Sequence, residues 1–331
     1  MKVRNQVRLP WRRLVALLML GLLIALAGGC SGTGGNTPPP PAGNAGSHEI
    51  VDATGTVLKL EHKPQRIASL SISTDEILMA LVAPERIAAL SYLVDDPGIS
   101  NIAGQTQAVA GRVKANAEVI IAFQPDLVIT PDWQPATLIQ TLREAGIIVY
   151  VYKAPANLAE VKQAVAAIAR GVGEEAAGAR VIDGMDKALA QIDEVVSQIP
   201  ADKRQVVIRS TLLGDSGGIG STFEDICRYA GVQDGAAMLG LSMNEMMSKE
   251  QIVKINPDII FLPLWDYAGK TDLQKFGEDM QHDPALQPVK AIQNRRLVAV
   301  PDSHLSCNSQ YIVEAVRDVA RAAYPEYFKD R

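Results

Sequence analysis

Between residues 66 and 300, short apolar runs recur at intervals: RIASL (66–70), IAAL (87–90), LVIT (127–130), IVYVY (148–152), VVIR (206–209), IIFL (259–262) and LVAV (297–300). None alternates polar with apolar, which is the pattern of parallel strands covered on both faces. Helical periodicity fills the intervals, at 73–82, 117–123, 136–145, 158–170 and 309–323. Such alternation predicts α/β units with parallel sheets. It breaks once. Residues 174–198 form one long amphipathic pattern, with Val181, Met185, Leu189, Ile192 and Val196 on a single stripe, and no strand signal falls between about 153 and 204. Two α/β lobes joined by a single long α-helix fit this layout. The lobes are expected over 48–170 and 201–331, with the interlobe helix in 171–200. A chain of 331 residues is long enough to give each lobe a core.

One device occurs twice. AEVIIAFQPDLVIT (117–130) and KEQIVKINPDIIFL (249–262) each place a glutamate seven residues before a proline, then Asp, then a strand. Asn116 and Ser248 stand as N-caps, putting Glu118 and Glu250 in first turns, where the helix dipole favours acidic side chains. Ser73 with Glu76, and Ser221 with Glu224, match the S-x-x-E capping box that opens a helix. The chain reads as two related lobes.

The N-terminus is of another kind. Lys2, Arg4, Arg8, Arg12 and Arg13 precede an apolar run from Leu14 to Ala27 that meets Gly-Gly-Cys30. That is a secretory signal peptide over 1–29, and LAGGC resembles the lipobox in which the cysteine is lipidated. Residues 30–47, rich in Gly and Pro, are expected to act as a flexible tether. The chain is thus expected to be exported and lipid-anchored at Cys30, on the outer face or in the periplasm. Removing the leader's five basic residues from 32 Lys+Arg leaves 27 against 37 Asp+Glu, a net charge of −10. This argues against nucleic acid as a partner. Cys227 and Cys307 make no disulfide framework and are expected to be unpaired.

Together the lipobox, the opening RIASLSISTDEILMALVAPERIAAL, the paired EVIIAFQPDLVI and EQIVKINPDIIF segments, and the ending AIQNRRLVAVPDSH…YPEYF resemble the substrate-binding proteins of ABC importers for iron–siderophore, haem and cobalamin. The resemblance covers about 50–328. It implies two Rossmann-like lobes bridged by one rigid helix, with the ligand between them. It also implies docking on an ABC permease dimer with its ATPase through one glutamate per lobe, at Glu118 and Glu250. The chain is expected to act as a monomer and to hold no cofactor, its ligand being a small-molecule metal chelate.

In open α/β sheets, ligands bind beyond the carboxyl ends of the strands. That rule nominates Ser71, Ser73, Tyr92, Asp132, Trp133 and Lys153 from the first lobe. From the second it nominates Arg209, the loop GDSGGIGS (214–221), Trp265, Tyr267, His304 and Cys307. Two facing tryptophans, Trp133 and Trp265, suit a flat and partly apolar ligand. His304 could touch a metal chelate or ligate haem iron. The glycine loop is no P-loop, since no G-K-[ST] follows. An iron chelate leads on family frequency; haem would use His304 with Tyr92 or Tyr267, and cobalamin would accept aromatic walls with few charges. A bare zinc or manganese site needs converging His and acidic ligands that four scattered histidines do not supply. No G-x-S-x-G elbow or HExxH suggests an enzyme.

Overall fold

The computed structural model describes residues 48–328 except Asn244. The leader, the tether and Cys30 lie outside the described residues. The described chain opens with an antiparallel hairpin of β1 (His48–Val51) and β2 (Val57–Leu60), turned through Gly55 at φ +80°. Its inward residues Ile50, Leu58 and Leu60 join the first lobe's core.

The first lobe is a five-stranded parallel sheet in the order β5-β4-β3-β6-β7. Its strands are β3 (Ile67–Ser69), β4 (Ile87–Ser91), β5 (Arg112–Val113), β6 (Leu127–Pro131) and β7 (Ile148–Tyr152). Unbroken apolar runs are required because both faces are covered. Leu127, Ile129 and Tyr150 pack on one side, with Ile77, Val165 and Ile168. Val128, Val149 and Val151 pack on the other, with Ile120, Leu138 and Leu142.

The second lobe repeats the plan. Its sheet runs β10-β8-β11-β12 in parallel, with β9 antiparallel on β8. Here β8 is Val206–Thr211, β9 Gly214–Ser216, β10 Gln233–Asp234, β11 Ile259–Leu262 and β12 Leu297–Ala299. Val207, Ile259 and Phe261 face one core layer, and Ile208 and Ile260 face the other.

Helix Glu175–Val196 links the lobes. Its stripe is shared: Ala177, Val181 and Ile182 pack into the first core, and Met185, Leu189, Ile192 and Val196 into the second. Helix Leu158–Val172 ends at Gly173, which takes the left-handed conformation, and then runs antiparallel to the link. Its first turn, Leu158 and Val161, already lies in the second lobe's core.

The doubled device folds alike in both lobes. Asn116 and Ser248 accept from Val119 N and Gln251 N and cap helices Ala117–Ala122 and Lys249–Ile255. Gln124 (φ 48°) and Asn256 (φ 51°) then turn the chain ahead of each proline. Neither of the two expected capping boxes closes as a full box. Ser71, not Ser73, caps helix Ile72–Leu81, accepting from Thr74 N. Glu76 is therefore released from cap duty and buried. In the second lobe Ser221 does cap helix Thr222–Tyr229, while Glu224 reaches the Gly220 amide instead.

Candidate functional site

A cavity of about 430 Å³ opens at the carboxyl ends of the first lobe's strands. Each strand contributes: Ser71 and Ser73 follow β3, Ser91 and Tyr92 end β4, and Lys114 follows β5. Trp133 and Gln134 follow β6, and Tyr152 ends β7. The second lobe supplies Ser306 and Asn308. A larger depression of about 680 Å³ lies around Asn157, Glu224, Arg228 and Met238, away from these strand ends.

Of the nominated residues, Ser71, Ser73, Tyr92 and Trp133 are brought together on this cavity. Ser71 shares a hydrogen bond with Thr74, whose hydroxyl meets Tyr152 Oη at 3.0 Å. Ser73 Oγ accepts from Asn308 N across the lobes at 3.3 Å. Trp133 stands with 62% of its surface exposed. Tyr92 Oη lies 2.8 Å from Tyr267 Oη of the second lobe, and Lys114 Nζ sits 4.7 Å from the Tyr92 ring centroid.

The others take different places. Lys153 turns outward to Glu160, at 2.9 Å. Asp132 accepts from Ala154 N and so shapes a turn. Arg209 donates to Leu305 O and Ser306 Oγ and pairs with Asp302, whose other oxygen accepts from Leu264 N and Trp265 N. It organises two loops and does not line the cavity. His304 lies on the short helix Asp302–Leu305 and faces Asp318 at 2.6 Å, because that helix packs on helix Ile312–Ala323. Trp265 is a seam residue. Its indole N–H donates to Asp96 of the first lobe at 2.9 Å, and its ring lies against Gly98, where a Cβ would come within 2.2 Å of it. Tyr267 meets the Trp265 ring edge to face at 5.9 Å and is 66% exposed. The two tryptophans therefore do not face each other across one cavity.

Beneath the cavity lie two buried carboxyls. Asp75 accepts from the amide and hydroxyl of Ser91, and burial pushes its pKa up to about 7 against the pull of the Ser69 and Ser91 hydrogen bonds. Glu76 binds the two lobes together. Its Oε1 accepts from Asn101 N and Nδ2, and its Oε2 from Ser309 Oγ at 2.5 Å and Cys307 Sγ at 3.3 Å. Burial raises the Glu76 carboxyl and lifts the Cys307 thiol well above its ordinary value. Cys227 and Cys307 are both buried and free. Among the described residues no three His, Cys, Asp or Glu side chains group as metal ligands.

Sequence reasoning missed Lys114, Tyr152, Ser91 and Asn308. Tyr152 closes a recognised strand, so the strand-end rule reaches it. Lys114 follows a two-residue strand too short to leave a pattern.

Glu118 and Glu250 are exposed in the first turns of their helices, with no ion pair among the described residues. The Glu250 carboxyl is held below its ordinary range by its own backbone amide and the Ser248 hydroxyl.

Residues 67–303 match the periplasmic binding protein family. The chain is 24% identical over 332 residues to a cobalamin-binding protein of Halobacterium salinarum, covering 94% of this chain and 84% of that one. It is 22% identical over 300 residues to an iron-uptake system-binding protein of Bacillus subtilis, covering 84% and 88%. Among solved structures, a periplasmic haem-binding protein from Roseiflexus superposes with a TM-score of 0.67 at 21% identity, over 80% of this chain and 99% of that one.

Proposed function

Since this chain belongs to the periplasmic binding protein family, we propose that it captures a large, largely uncharged metal chelate of the corrinoid type and hands it to an ABC permease and its ATPase. At the coarser level it is an ABC-type substrate-binding protein for ligands of the iron, haem or cobalamin class. The observation that favours a corrinoid is the cavity wall: Tyr92, Trp133 and Tyr152 line it, with no histidine or arginine among the described residues. Aromatic faces accept a broad macrocycle edge or face, and neutral hydroxyls and amides can meet peripheral amide groups. Haem is less well served, because His304 is engaged by Asp318 away from the cavity. An anionic iron chelate is the second reading, favoured by Lys114 at the wall.

Delivery is assigned to Glu118 and Glu250, one exposed carboxylate per lobe, meeting basic groups on a two-fold permease. Cys30 is assigned the lipid anchor, consistent with relatives named as ABC transporter substrate-binding lipoproteins. Binding changes nothing covalently. Titration with cyanocobalamin should quench tryptophan fluorescence at one ligand per chain and leave the ligand's spectrum intact. Retention of hemin or a ferric catecholate, with none of cyanocobalamin, would overturn the corrinoid assignment.

A further inference from the structure

The side chains around the cavity carry a simple charge pattern. Serines, Gln134, Asn308 and the tyrosines are neutral; among the described residues no Asp or Glu lines the space, and Lys114 is the one charged side chain on its wall. Three other cations of these strand ends are committed elsewhere. Arg112, two residues earlier, is bound by Asp95 at 2.6 and 2.8 Å; Lys153 is held by Glu160 and Arg209 by Asp302. Lys114 has no carboxylate within ion-pair distance among the described residues and instead lies over the Tyr92 ring. An aromatic face positions an ammonium without neutralising it, so the charge stays available to a guest.

We propose that Lys114 selects a ligand bearing an anionic substituent, a phosphate or carboxylate, at the edge of its apolar body. This rests on the reading of the cavity as the ligand site. The apolar body meets Trp133 and Tyr92, and the anion sits against the ammonium at the end of the Lys114 stem. A cavity with one uncompensated positive charge discriminates chiefly by what it rejects: a cationic edge meets a like charge, and a neutral one leaves the ammonium without a partner.

Two corrinoid probes separate charge from shape. Cyanocobalamin carries a phosphodiester in its nucleotide loop, whereas dicyanocobinamide lacks that loop and is neutral. Lys114→Met keeps the stem and removes the charge. It should weaken cyanocobalamin roughly two- to fivefold, the upper part of the range for a solvent-accessible ion pair, with dicyanocobinamide unchanged. Lys114→Arg should restore the difference, and rising salt should erase it. Equal effects on both probes, or none on either, would overturn the proposal. A ligand-free measurement covers the case in which neither probe binds, which would end the corrinoid reading but not this one. Iodide should quench Trp133 fluorescence more strongly in the wild type than in Lys114→Met, with neutral acrylamide quenching the two alike. Identical iodide quenching would show that Lys114 gives the cavity no attraction for anions.

Discussion

Trp265 and Asp96 join the two lobes by a 2.9 Å hydrogen bond from indole N–H to carboxylate, with the indole laid over Gly98. The pairing makes Trp265 a clasp between lobes. Trp265→Phe removes the donor and should cost about 1 kcal/mol of stability, the net value of one hydrogen bond. Gly98→Ala should cost more, because the ring must move off the backbone. Denaturant melts of the two variants test this; affinity lost at unchanged stability would return Trp265 to the ligand.

Trp133 should behave in the opposite way. It lines the cavity yet is mostly exposed, so little packing depends on it. Trp133→Ala should weaken ligand binding by about 1–3 kcal/mol and shift stability by less than about 1 kcal/mol. Unaltered affinity, measured by calorimetry, would remove it from the site.

The glutamates predict a transport phenotype. Replacing both Glu118 and Glu250 by arginine should abolish transport and complex formation with the permease, with ligand affinity intact. Each single change should give a partial loss. Both side chains are exposed, so a purely local role would predict only a small stability change from the helix dipole. Wild-type transport by the double variant would leave the repeat as an echo of a duplicated lobe.

Asp75 predicts a pH profile. Its folded pKa of about 7 lies above the ordinary aspartate value of 3.8, so the folded chain keeps a proton that the unfolded chain releases. The resulting stability is full below about pH 4 and is lost as pH rises through about 7. Between pH 5 and pH 8 this group should remove about 2 kcal/mol or more from the wild type. Asp75→Asn should flatten that slope and be the more stable protein at pH 8, since the side-chain oxygen can still accept from Ser91. Parallel urea melts at the two pH values decide; equal slopes would mean that Asp75 is ionised throughout.

Much of the fold was legible because its determinants are local. β7 and β11 coincide with the runs IVYVY and IIFL, and the link helix lies within the long stripe. The hairpin β1–β2 was not legible, since four-residue strands with only alternate residues buried leave almost no periodic signal. At the site, proximity to a strand end was readable, but the direction of a side chain was not. Glu76 has the spacing of a cap, yet it is claimed by Ser309 and Cys307, more than 230 residues away. His304 follows the last strand as expected, and one turn of helix rotates it onto Asp318. Trp265 lies at a strand end too, but Gly98 on the other lobe leaves a space that its ring fills. Contacts made between lobes are written in two places at once, and neither place alone discloses them.

The link between the lobes, helix Glu175–Val196, is embedded in both cores. A hinge needs backbone that bends cheaply, and bending here would pull Ala177 or Leu189 out of close packing. Bending the link is therefore costly, whereas the Tyr92–Tyr267 contact between the lobes is a single pair of hydroxyls.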